Sequence, residues 1–123
     1  MSKDLIVTTM DLKQNYEILG MVYFQINSGG FLKSSPWQIH LKKYADAFEA
    51  MKKSGTMGTD RTWSWNETDL EKAFYISTEE LKERAKTLGA DAIIGLREDT
   101  DWPMDGGNFS MQMYGTAVRF AKK

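Results

Sequence analysis

A change of period at Gly89 constrains this chain more than any other feature. From Ser77 to Leu88 the apolar residues recur at helical spacing, and beyond Gly89 they run together and then alternate. Glycine takes the left-handed conformation of a helix cap without a Cβ clash, so the helix is predicted to stop there. Ala90 to Leu96 then reads as a buried strand, with Phe109 to Phe120 as its hairpin partner. Two starts compete for the helix. Ser77-Thr78-Glu79-Glu80 has capping-box spacing, with Ile76 and Leu81 placed as a hydrophobic staple. Against it, Leu70, Phe74, Ser77, Leu81, Ala85 and Leu88 hold one helical phase with no Gly or Pro between them. That phase favours one continuous helix from near Glu67.

Upstream, Leu5 to Thr9 is a short β-branched run and Asp11 to Asn15 a polar turn. Tyr16 to Asn27 is the longest strand candidate. Its even positions carry Tyr16, Ile18, Val22, Phe24 and Ile26, and its odd positions Leu19, Met21 and Tyr23, so both faces call for cover. Ser28-Gly29-Gly30 breaks it. Ser35 and Pro36 are a helix cap and first helical residue, and Trp37, Leu41, Tyr44, Ala45, Phe48 and Met51 define one amphipathic helix from about Pro36 to Lys53. Ser54 to Asn66 reads as a loop that carries Trp63 and Trp65.

With 123 residues the chain fits a single domain, 1–123, large enough to bury about two-thirds of its unfolded surface. Sixteen basic against 17 acidic residues generate no long-range field for a nucleic-acid backbone or an anionic membrane. The lack of cysteine excludes disulfides, thiolate catalysis, iron–sulfur clusters and the usual structural zinc sites. The apolar run near the N-terminus is too brief for a signal peptide or a membrane span. A soluble cytoplasmic protein is the expectation, with no nucleic-acid or membrane partner and no cofactor.

Ile6-Val7-Thr8-Thr9, Tyr16-Glu17-Ile18-Leu19-Gly20, the run LKERAKTLGADAIIG from Leu81 to Gly95, and Gly115-Thr116-Ala117-Val118 resemble, in that order, the motifs of the YbjQ-like family. This bacterial and archaeal group carries a heavy-metal-binding label. The resemblance covers both ends of the chain, about half of it. Ser28 to Trp65 departs from the family's glycine- and arginine-bearing helix and its GGRSG-like loop, so nothing tied to that region transfers. What the resemblance implies is a β-α-β-β subunit of dodecin type, assembled into a ring of five.

The residues themselves test the metal label. Soft metals want thiolates or several imidazoles, and the chain offers a single histidine, His40, off the apolar stripe of its helix. Met111 and Met113 share a strand face and read as core. A hard cation would have Asp99, Asp101 and Asp105 in the acidic loop before Gly106-Gly107, but the spacing is not that of an EF-hand, and a solvated hairpin loop is the plainer reading. Trp63, Trp65 and Trp102 could form a ligand platform or bury themselves between subunits. No catalytic motif is present, and an enzyme would need a carboxylate-centred site. The expectation is therefore an α+β fold: an antiparallel sheet with two helices on one face, and a homo-oligomer formed through the other face by Met21, Tyr23, Tyr114, Val118 and Phe120. The leading function is a non-enzymatic assembly that binds a small ligand at its subunit junctions.

Overall fold

The structure, a computed structural model, describes residues 4–29, 35–56, 68–101 and 109–121. Four strands and three helices follow in the order β1 (Ile6–Val7), β2 (Tyr16–Asn27), α1 (Pro36–Lys43), α2 (Ala45–Ser54), α3 (Thr68–Thr87), β3 (Ala92–Asp101) and β4 (Ser110–Phe120). The strands form one sheet in the order β1-β3-β4-β2, giving the α+β class. From β2 onward the order is the expected β-α-β-β, with β1 added at the far edge. The chain divides into two compact units, Met1–Gln25 with Ser77–Asp99 and Gln112–Lys123, and Ile26–Ile76 with Thr100–Met111.

In the first unit, the Asp91 amide just before β3 donates to the Val118 carbonyl near the end of β4 (2.8 Å), so β3 and β4 are antiparallel. The Ala121 amide after β4 donates to the Asn15 carbonyl before β2 (3.0 Å), which makes β4 and β2 antiparallel too. β1 departs from the antiparallel expectation. It pairs parallel to β3, Ile6 opposite Ala92 and Val7 opposite Ile93. The cause is topological: β1 and β2 lie at opposite edges and run the same way, so residues 8–15 must cross the sheet instead of turning back as a hairpin. The crossing is tied to β3 by the Gly95 and Leu96 amides, which donate to the carbonyls of Met10 and Thr8 (3.3 and 3.1 Å). Leu12 and Tyr16 then pack with Phe120 against the buried cluster Ala92, Ile94 and Val118.

The opposite face of β4 alternates cleanly, with Met111, Met113, Gly115 and Ala117 buried. Thr78 of α3 directs its hydroxyl at the Met113 sulfur (3.6 Å), which sets the helix on that face. α3 is continuous through the capping-box residues, and Ser77 is fully buried inside it, not at a cap. Its stop is as the sequence predicts. Gly89 has φ +80, its amide donates to Lys86 (2.9 Å), and the Ala90 amide donates to Ala85 (3.0 Å), the paired bonds of a Schellman cap.

In the second unit the single helix expected from Pro36 to Lys53 is two helices. Ser35 caps α1 through Gln38 (3.4 Å), and Tyr44, at φ −108 and ψ 15, ends α1 and begins α2. No Gly or Pro marks the break; it accompanies a ring cluster in which Tyr44 and Phe48 both meet Tyr75 edge-on, at 5.6 and 5.7 Å. Trp37 of α1 likewise meets Phe109 edge-on at 5.9 Å.

Candidate functional site

β2 and β4 bring together the surface that distinguishes this chain from a sheet covered on both sides. The Ser28 amide donates to the Phe109 carbonyl (2.9 Å), and from Met21 to Asn27 exposed and buried residues alternate strictly. Counting back from that pair sets Tyr23 opposite Tyr114 and Met21 opposite Thr116 on the face away from α3. Met21 is 69% exposed, Tyr23 44%, and Tyr114 half-buried. Ile18, on the stretch of β2 before Gly20, is 68% exposed. Val118, expected at a subunit interface, is corrected by the structure: it is fully buried within its own chain, where Leu12 of the crossing segment, Tyr16 and Phe120 pack against the cluster it belongs to.

Phe120, half-buried, stands between two open clefts of the first unit. One, of about 450 Å³, is lined by Tyr16, Glu17, Arg119, Phe120 and Ala121. The other, of about 550 Å³, is lined by Asp4, Leu5, Ile6, Lys86, Gly89, Ala90, Asp91 and Phe120. Each carboxylate in them accepts a hydrogen bond from a neighbour. Glu17 takes the Arg119 Nε (2.6 Å), Asp91 takes the Phe120 amide (2.9 Å), and Asp4 takes Lys82 Nζ (3.3 Å). The Lys82 bond holds Asp4 below the ordinary carboxylate range. Partial burial works against the Lys82 charge, but Glu79 at 2.9 Å and Asp4 outweigh it and raise the ammonium's pKa. What these clefts offer a ligand is the Phe120 ring and the Ile6 side chain, framed by charges already engaged.

At the entry to β2 the Tyr16 hydroxyl donates to Asp11 Oδ1 (2.6 Å), and the Leu12 amide donates to the same oxygen (2.7 Å). The tyrosine bond lowers the Asp11 pKa, with help from the amide, and raises that of Tyr16. The lowered carboxylate contributes stability above the ordinary carboxylate range, lost as pH falls through its shifted value. The raised phenol contributes below the ordinary tyrosine range, lost as pH rises through its own. Melting temperatures of wild type and Tyr16→Phe should therefore differ most between the two ranges and converge toward either extreme. A constant difference would show that the bond does not hold in solution.

His40, half-buried, has Nδ1 2.8 Å from the Pro36 carbonyl, which takes the ring N–H as donor. Among the described residues no three of His, Asp and Glu are grouped to hold a metal ion. Asp99 and Asp101 are exposed on β3, while Asp105, Trp63, Trp65 and Trp102 lie outside the described residues. Also among the described residues, no helix is long and apolar enough to cross a membrane. Sequence reasoning missed the crossing segment and its Asp11–Tyr16 bond; the Asp-to-Tyr spacing alone carries no signal without the sheet behind it.

A family model described as "Putative heavy-metal-binding", YbjQ, matches residues 43–121. Among solved structures, a protein of unknown function belonging to the DUF74 family, from Pediococcus pentosaceus ATCC 25745, is similar with a TM-score of 0.57 and 19% identity. The alignment covers 97% of this chain and 100% of that one. At that identity the likeness speaks for the fold alone.

Proposed function

We propose that this chain, which belongs to the YbjQ family, is a non-enzymatic, cytoplasmic assembly protein with one domain per copy, joining copies of itself through the outer face of β2 and β4. The observation that carries this reading is the uncovered apolar strip of Met21 and Tyr23 beside Tyr114. A second copy removes that strip from water, and closed cyclic symmetry does so for every copy without starting a filament. The clefts on either side of Phe120 are then the places where a neighbouring copy would complete a pocket for a small ligand with an apolar body. The family's heavy-metal description does not fit the donors: the chain has no cysteine and a single histidine.

Light scattering at micromolar concentration tests the assembly. The expected mass is several times the 14.1 kDa of one chain, with five copies the number to test first from the family resemblance. Met21→Lys should return it to one chain, because a charge on that strip cannot be buried without a partner. A wild-type mass of one chain would refute the reading.

A further inference from the structure

We propose that Arg84 closes the outer edge of β2 against the addition of another strand. β2 lies at one end of the strand order, and an edge of this kind, with apolar side chains beside it, is a ready template for pairing with another chain. The direction of its backbone groups follows from the bond that ends the run. Because the Ser28 amide donates to Phe109 of β4's leading end, even-numbered residues from 22 to 28 turn their N–H and C=O toward β4. Odd-numbered residues, Tyr23 among them, turn theirs to the outside. Arg84, one turn before the end of α3, donates from its guanidinium to that outward Tyr23 carbonyl.

The same guanidinium lies over the Phe24 ring, 5.3 Å from its centroid. Phe24 is buried, so the ring is a fixed seat, and the planar cation rests on it while its N–H groups reach the strand edge. An incoming strand would run about 4.8 Å from β2 and would need the Tyr23 carbonyl for its own N–H. It would meet instead a permanent charge that already holds this acceptor and that would lose water on being covered. The device acts on the edge, whereas the assembly proposed above uses the face, so it operates whatever the mass of the wild-type protein.

The test compares wild type, Arg84→Ala and Arg84→Lys by light scattering and by the fluorescence of a dye that reports stacked β-strands, with circular dichroism confirming that each variant is folded. Arg84→Ala should form dye-positive, strand-paired species at a roughly tenfold lower concentration, the scale of losing one charge-assisted hydrogen bond. Arg84→Lys, which keeps the charge but not the planar fork, should fall between, and it is read in place of the alanine variant if that one unfolds. Adding Asn27→Pro removes an outward N–H while leaving the bonds to β4, so it should reverse the effect. Folded Arg84 variants with wild-type association would overturn the proposal. So would association that Asn27→Pro leaves untouched, because another surface would then be responsible.

Discussion

Gly115→Ala is expected to lower the stability of the fold by about 1–3 kcal/mol, and Gly115→Leu to prevent a native sheet from forming. A Cβ at this position would lie 2.6 Å from Ile93 Cγ2 and 3.2 Å from the Ile94 carbonyl oxygen, with the Leu96 Cα at 3.6 Å. None of these neighbours can yield cheaply. Ile93 is fully buried and its β-branch restricts χ1, and the carbonyl belongs to the backbone of β3. The glycine thus allows β4 to come close to β3 where the hairpin is most buried. Urea unfolding checks the size of the effect, and Ile93→Ala checks its cause. In combination with Gly115→Ala it should cost less than the two single losses together, because the methyl that clashes is gone. A wild-type urea midpoint for Gly115→Ala would mean that the strands stand farther apart than they do here.

Leu81→Ala should cost about 2–5 kcal/mol, and Phe74→Ala on the same helix clearly less, about 1 kcal/mol. Leu81 is fully buried, as is Ala85 one turn later, whereas Phe74 is 46% exposed and Leu88 45%. Deleting the leucine leaves a void in the core; the phenylalanine ring is already about half in water, so deleting it gives up only the burial of its covered half. Thermal melts of the two variants should therefore separate clearly. Equal shifts would place α3 in a different rotation about its axis.

These two helix positions also show what could be read in advance and what could not. The stop at Gly89, the continuity of α3 and the face of β4 that carries Met111, Met113 and Ala117 are local matters of cap chemistry and period, and they were legible. The rotation of α3 was legible only in part, since Ala73 and Ile76 are buried where Phe74 was expected. An aromatic ring and an alanine are equally apolar to a periodicity count, and only the room left by the sheet decides between them. The break at Tyr44 and the direction of β1 depend on partners distant in sequence, the Tyr75 ring and β3, and so leave no local mark. For the site, the exposed side chains of Met21 and Tyr23 followed from strand alternation. The burial of Val118 did not, because its cover arrives on a loop from the other edge of the sheet.

That crossing loop also bears on the order in which the chain can fold. Ile6 pairs with Ala92, far along the sequence, and residues 8–15 have nothing to lie on until β3 and β4 are in place. β3 and β4 are near one another in sequence and can pair early, but seating the N-terminal crossing must wait for a long closure with its larger entropy cost. The same order run backwards makes this segment the first to peel away, baring Val118 and Ile94 while the hairpin survives. Such a half-open state would bare apolar side chains of the sheet, so within the first unit the seating of the N-terminal crossing is the step on which protection of Val118 and Ile94 depends.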